Sequence, residues 1–418
     1  MKTYLSASGI FILLMIFPFV CFSQFTIYDT TNSNLVSNDC SRIAVDQNLK
    51  PWIGHATHGL SVMDSVGSFT NYNSSDSPLL GQFVSHILRD GDRMWVNEYQ
   101  HNLFLHQTNL WTSVPWIPDF SVYGLYKRGN NLWIATRYAG IFKVNVATGL
   151  FNVYDMNSGL PSNYMLRITG DTLGNIYAGT GFDGALKFNG NTWTNYTMYN
   201  SPLPSNSVFC VACDAFGNVW FGTMAGMAKL SNNGTWTVYD STTTGLPGNY
   251  IRTIVPRNDK LVVATAYGGL GVMNINTETW TDFTTSNSNL PVNTVFDVAI
   301  SDSGDVWIPL ANSGVAVLPK YLPSIGTFGI ARGSVDNKLL VFPNPADSKI
   351  NIEYYLPSQG TYTISLISLQ GTTILMAKGS DPKGTIQKTL DIQGLPSGSY
   401  IVKLVSGNTV ATKMVVIY

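Results

Sequence analysis

Residues able to do acid–base or metal chemistry are few in this chain and concentrated near its start. The histidines are five, His55, His58, His86, His101 and His106, and the glutamates three, Glu98, Glu278 and Glu353. His55-Ala-Thr-His58 and Glu98 with His101 are the places where imidazoles and a carboxylate recur within a short span. If the loops carrying them shared one mouth, they would form a metal site or an acid–base pair. The simpler reading is a group of solvated loop residues. No H-E-x-x-H, G-x-S-x-G or phosphate-loop pattern accompanies them. No cofactor, metal ligand or catalytic residue is therefore assigned.

A second set of residues suits binding better than catalysis. Arg137-Tyr138, Phe182-Asp183, Met224, Tyr267 and Asn312 stand at corresponding points of successive repeats. Flat rings alternating with a few polar groups suit a glycan or a peptide. The candidate ligand-binding residues are His55, His58, Glu98, His101, Arg137, Tyr138, Phe182, Asp183 and Tyr267.

These residues must be positioned by a repeat, typified by Asp214-Ala-Phe-Gly-Asn-Val-Trp-Phe-Gly-Thr223. Asp214 bonds its own backbone two residues on, and Gly217 takes the positive φ of a tight turn. Val-Trp-Phe is a short strand, and Gly222 leaves room for another backbone to approach. Asp46, Asp90, Asp171, Asp214 and Asp302 recur at this turn and read as caps of backbone N–H groups rather than as acids. Asp302-Ser-Gly-Asp305 offers two carboxylates, too few for a calcium ion that takes six or more oxygens.

The anchors Trp52, Trp95, Trp133, Tyr177, Trp220, Val262 and Trp307 are spaced by 43, 38, 44, 43, 42 and 45 residues. That period denotes four-stranded units stacked as a solenoid or arranged as a propeller. Each unit reads as strands a to d, followed by a loop such as Leu246-Pro-Gly-Asn249. The seventh unit stops at Pro319 without a strand d, whereas Phe25–Asp29 is a strand d with no unit before it. Seven of each result if the first strand completes the last unit, and such closure removes sheet edges. The expectation is an all-β chain with a seven-bladed β-propeller at 24–318, closed by its N-terminal strand. In that fold the b–c and d–a loops share one face around the axial channel.

The units resemble the two-component-regulator propeller repeat of sensor ectodomains and secreted proteins of Bacteroidetes-type bacteria. The resemblance rests on Leu-Pro-Ser-Asn loops, the Asp-x-x-Gly-Asn-x-Trp hairpin and the Trp-Thr-x-Tyr closing strand. The second unit departs most, with Leu79-Leu-Gly-Gln82 in place of the proline loop and Asn97 where others have Gly or Ala. Propellers resembling streptogramin B lyase use a His and an acid with a divalent metal. That likeness implies the alternative function, a metal-assisted lyase or hydrolase.

Residues 319–335 read as a linker, and the repeat period ends there. Beyond it, Ile350–Tyr355, Tyr362–Ile367 and Tyr400–Val405 alternate in period two, as in a small Ig-like β-sandwich. Val341-Phe-Pro-Asn-Pro345, Ser368-Leu-Gln-Gly371 and Leu395-Pro-Ser-Gly-Ser-Tyr400 resemble the type A sorting domain of the type IX secretion system. The resemblance covers 336–418 and implies export across the outer membrane, with the secretion machinery as partner.

At the other end, Lys2 followed by the apolar run Ile10–Phe22 reads as a signal peptide over residues 1–23. Cys40, Cys210 and Cys213 remain, an odd number that argues against a disulfide framework. Charged residues are 12% of the chain and the net charge is −1, with no basic block, which argues against nucleic acid and polybasic membrane contacts. The sequence thus describes a secreted or cell-surface propeller that binds an extracellular glycan or peptide, with binding favoured over catalysis.

Overall fold

The structure, a computed structural model, describes residues 25–322 and 339–417 apart from short stretches within them. The segments read from the sequence as signal peptide and, beyond 322, as linker, together with His101 and parts of the motifs at 343–345 and 369–371, lie outside the described residues. The fold is all-β. No helix among the described residues is long and apolar enough to cross a membrane.

Seven four-stranded antiparallel sheets occupy residues 26–318. Their first strands are Cys40–Val45, Val84–Asp90, Val122–Arg128, Met165–Gly170, Val208–Cys213, Ile251–Arg257 and Ala299–Ile300. We number the sheets one to seven in that order. In the fifth, Val208–Cys213 pairs with Val219–Thr223, which pairs with Gly226–Leu230 and then Trp236–Tyr239. The seventh is completed from the far end of the chain. Thr26–Tyr28 lies antiparallel on Val315–Leu318, with Ile27 opposite Ala316. Phe25 is sealed against Phe283 edge-on at 5.5 Å, and Asn289 clamps its backbone N–H and C=O at 2.8 Å each.

The turn aspartates do the structural work expected of them. Asp214 accepts the N–H groups of Phe216 and Asn218 on one oxygen and the Trp220 indole N–H, at 2.8 Å, on the other. Asp46 does the same for Asn48, Lys50 and Trp52, and Asp171 for Asn175 and the Tyr177 hydroxyl. Gly217 takes φ 82° at the turn, and Leu49 adopts φ 65° at the same place in the first sheet. Asp302 is a correction. Counted back from Trp307, the cap position belongs to Ser301, and Asp302 instead meets Arg89 at 2.9 Å. A hydroxyl reaches less far than a carboxylate, and the Trp307 indole N–H is left buried without an acceptor.

The repeat anchors lie between sheets. Trp52 packs with Val84 and Val96 of the second sheet, Trp133 with Met165 and Ile176 of the fourth, and Trp220 with Ile251 and Leu261 of the sixth. Trp307 packs with Ile43 and Ile53 of the first, so the last interface joins the two ends of the series. Close packing explains the small residues beside the anchors. The space at Gly179 is taken by the Val208 carbonyl, and that at Gly222 by the Cys210 sulfur and the Ile251 side chain. The approach expected at Gly222 is thus one of side chains rather than backbone. All three described cysteines are free; Cys40 and Cys210 are buried and Cys213 partly so.

In six first strands the ladder slips by one residue near its start, at Cys40/Arg42, Val84/His86, Val122/Gly124, Met165/Arg167, Val208/Cys210 and Ile251/Thr253. Each slip is a β-bulge, which bends the strand and re-aims the side chains around it. The bulges lie at the end of the sheets that bears the candidate site.

Residues 340–417 form a three-stranded and a four-stranded antiparallel sheet. Ile350, Ile352, Tyr354 and Ile386 of the first share one buried core with Ile364, Leu366, Val402 and Leu404 of the second.

Candidate functional site

The b–c turns of the third to sixth sheets are fastened to the loop that enters the next sheet. Gly140 N–H donates to the Asn163 carbonyl, Gly184 to Asn206, Gly226 to Asn249 and Gly269 to Asn293, at 2.7–3.1 Å. The same asparagines accept a backbone N–H through their side chains, from Met156, Met198, Ser241 and Thr285. This is what the Leu-Pro-x-Asn signature does: it pins two loops of neighbouring sheets side by side. Turn residues and loop residues therefore share one end of the structure.

In the third to sixth sheets the strand before the turn ends in a buried threonine whose hydroxyl donates across it, as from Thr136 to Gly140 and Thr180 to Gly184 at 2.8 Å. His55 and Glu98 stand at that same position, three residues after Trp52 and Trp95. Expected in a loop, they are instead the last residues of Pro51–His55 and Arg93–Glu98 and fully buried. His55 Nε2 lies 2.8 Å from the Ser61 hydroxyl and its Nδ1 3.5 Å from Asp39. Burial pushes its pKa down to about 4, against the pull of Asp39. Glu98 accepts the Leu80 N–H at 2.8 Å, closing the loop that lacks the usual proline. Asn97 fills its glycine position by accepting from the Ser85 hydroxyl at 2.6 Å. His58 is exposed and lies 3.5 Å from the other Asp39 oxygen. Three or more His, Cys, Asp or Glu side chains gathered for a metal are not found among the described residues.

The binding set fares differently. Tyr138, Phe182 and Tyr267 are 61%, 70% and 75% exposed, which marks them as available rather than as core. Arg137 lies among rings: its guanidinium carbon is 5.1 Å from the centre of Tyr138, 5.4 Å from Tyr164 and 5.8 Å from Tyr123. It donates to the Tyr99 hydroxyl at 3.0 Å. No carboxylate pairs with it among the described residues, and its Nε–H is buried without an acceptor. Tyr164 joins Tyr138 to Phe182, at 6.5 and 5.8 Å. The backbone N–H of Asp183 is held by Thr180 at 2.8 Å. Tyr267 belongs to a separate aromatic group, with Tyr250 at 6.0 Å and Phe209 beyond it. Arg252 lies between Tyr250 and Phe296.

Tyr164 and Tyr250 were not among the sequence candidates, yet each bridges an aromatic group. Their signal is in the sequence: both directly follow the asparagine of a Leu-Pro-x-Asn loop. Tyr99, Tyr123 and Arg252 carry no such signal, because the closed arrangement alone brings them to the same end.

A recess at the opposite end, lined by Asp46, Trp52, Asp64, Tyr72, Asp92 and His106, is polar and closely self-paired. Trp52 and Trp111 hold His106 edge-on at 4.9 and 4.8 Å, and the Trp52 N–H is taken by Asp46.

Residues 340–418 match the family described as secretion system C-terminal sorting domain, and residues 202–225 match the two component regulator propeller. A comparison with curated proteins gives no match. Among solved structures, the extracellular domain of a hybrid two component system from B. thetaiotaomicron superposes with a TM-score of 0.64 at 18% identity, over 94% of this chain and 57% of that one. The extracellular domain of a second such system from the same organism gives 0.60 at 14%, over 95% and 60%. The chain thus spans under two thirds of the length of these two structures. YCF48 bound to D1 peptide gives 0.54 at 11%, over 71% of this chain and 96% of its own. At these identities the likeness is one of fold, and the fold is propeller-like. With a secretion-system sorting domain at 340–418, the protein is secreted or displayed at the cell surface.

Proposed function

We propose that this is a secreted binding protein in which a seven-bladed β-propeller, residues 24–318, presents one end to an extracellular glycan or peptide. The Ig-like sandwich at 336–418 serves as its type IX sorting domain, and residues 1–23 as its signal peptide. The observation that carries the binding reading is Arg137. A guanidinium caged by Tyr123, Tyr138 and Tyr164, with a buried N–H lacking an acceptor and no acid beside it, is short of partners that a ligand would supply. The exposed rings of Tyr138 and Phe182 beside it offer stacking surface. A peptide on the propeller-like YCF48 is a precedent for that ligand class on such a scaffold.

The metal-assisted lyase alternative needs a His and an acid converging at the mouth. The burial of His55 and Glu98 in strand-end roles speaks for binding instead. The test is a glycan and peptide array probed with the full chain and with a Tyr138→Ala, Phe182→Ala, Tyr267→Ala variant. Ligands retained equally by both proteins would place the site elsewhere. A ligand turned over in a metal-dependent manner would favour the lyase.

A further inference from the structure

The bulged first strands bring an unusual set of side chains to the centre of the ring. Arg167, of the fourth sheet, donates to the Tyr123 carbonyl of the third at 2.9 Å. It also reaches His86 of the second sheet at 2.7 Å, and its Nη2 lies 3.9 Å from Asp297, which precedes the first strand of the seventh. Sheets two, four and seven are not neighbours in the series, so these contacts cross the axis. Arg42 enters from the first sheet, its Nε and Nη1 held at 2.7 and 2.8 Å by the carbonyls of Ser85 and Ser41. Arg42, His86 and Arg167 are all half-buried.

The donors and acceptors there do not balance. A guanidinium can only donate. His86 Nδ1 must therefore accept from Arg167, which leaves the imidazole neutral with its proton on Nε2. Nε2–H, Arg42 Nη2 and Arg167 Nε have no acceptor among the described residues. The charges do not balance either. Arg42, Arg167 and nearby Arg252 face one carboxylate, Asp297, which already accepts from the Thr253 hydroxyl at 2.9 Å and the Val298 N–H at 3.0 Å. Arg167 and Asp297 at 3.9 Å are too far apart for a direct hydrogen bond. Burial and the neighbouring Arg167 push the Arg42 pKa down to about 9, against the pull of Asp297, as expected of like charges sharing a confined space.

We propose that the axial channel between Arg42 and Arg167 is a binding site for an oxyanion, a carboxylate, sulfate or phosphate group, received by the two guanidiniums and the Nε2–H of His86. An oxyanion offers acceptors to donors that lack them and negative charge where cations outnumber acids. The group could be a free inorganic ion or the acidic substituent of a larger ligand seated at the aromatic end. The chemistry is the same, and the site does not depend on that larger ligand being found.

The test is thermal unfolding and calorimetric titration of the full chain with sodium sulfate, against sodium chloride of equal ionic strength. Sulfate should raise the melting temperature beyond chloride and give a saturable heat. Arg42→Gln and Arg167→Gln should each weaken it about tenfold or more, the loss expected of one charge-assisted contact. Arg93→Gln, at the opposite end of the sheets and paired with Asp90 at 2.8 Å, should leave it unchanged. Arg42→Lys, which keeps the charge, should retain part of it and guards against a mere folding defect. Oligogalacturonate separates the two sources: competition with sulfate identifies the acidic group of a larger ligand, and sulfate binding without it identifies a free ion. A sulfate effect no greater than that of chloride, or one that survives both glutamine substitutions, overturns the proposal.

Discussion

Removing the strand that joins the two ends of the series should destabilise the whole set of sheets, not fray one edge. Phe25 is 4% exposed and packed on Phe283, so Phe25→Ala should cost about 3–5 kcal/mol. Asn289 contributes two hydrogen bonds to the Phe25 backbone, and its loss should cost about 1–3 kcal/mol. Tyr28 adds a stacked contact with Trp307 at 6.1 Å and an edge contact with Phe69 at 6.0 Å. Deleting residues 24–29 removes all of these and exposes the edge of Val315–Leu318. The sum is comparable with an ordinary domain stability of ~5–15 kcal/mol. Phe25→Ala alone should lower the melting temperature by about 6–20 °C, from ~2–4 °C per kcal/mol for a domain of this order. Calorimetry measures that drop, and size-exclusion chromatography should show dimers of the deletion variant. In the deletion background Asn289→Ala should be silent, because its partner has gone. Deleting residues 324–329 from the linker is the control. Equal effects from the two deletions, or an undiminished Asn289→Ala effect without the strand, would refute closure by Thr26–Tyr28.

Four further outcomes are expected. Tyr138→Ala, Phe182→Ala and Tyr267→Ala together should leave the melting temperature nearly unchanged, because all three rings are exposed; a large drop would show that they are structural. A chain truncated after 318 should fold yet fail to reach the cell surface of its native host, as surface labelling would report. His55 has a folded-state pKa near 4, below its ordinary 6.5, so the folded state resists its protonation. Its stability contribution is intact above about 6.5 and is lost as pH falls toward 4, by up to ~3 kcal/mol; His55→Gln should flatten denaturant midpoints in that window, and an unchanged slope would exclude His55 as the source. Ser301→Asp with Asp305→Asn reproduces the fifth sheet's turn in the seventh and gives the Trp307 indole an acceptor. It should stabilise the protein by about 0.5–1.5 kcal/mol, and a loss of stability would show that Ser301 and Asp305 are better matched as they stand.

The architecture was legible because each sheet repeats the same local chemistry. An aspartate, a turn glycine and an aromatic anchor recur at a period that four short strands explain. The leftover strand at one end and the missing one at the other identify each other. Errors arose where a unit changes the residue but keeps the place. Asp302 looked like the cap because it is an aspartate in the right neighbourhood. Counting from Trp307 gives Ser301, and the orphaned indole N–H records the substitution. His55 and Glu98 are candidate binding residues by type, yet both occupy the strand-end threonine position, where a buried hydrogen-bonding group closes the turn.

The candidate site was legible only in its outer part. Tyr138, Phe182 and Tyr267 lie on turns, and turn position follows from the repeat. The turn position of Arg137 follows from the repeat, but its cage could not be read from the sequence, because Tyr99, Tyr123 and Tyr164 come from three different strand ends. The axial set is further from view. His86 and Arg167 lie 81 residues apart and in sheets that are not adjacent. Only closure of the series, together with a bulge that shifts both of their first strands by one residue, brings them within 2.7 Å. A repeat specifies what each unit shares, whereas the axis is lined by what each unit has changed: Arg42, His86, Arg167, Thr253 and Asp297 occupy one repeat position. Ligand specificity in such a scaffold should therefore follow the least repetitive position of the repeat. That is why substitutions at Arg42 and Arg167 are expected to alter binding of an oxyanion more than any change to the recurring turn aspartates.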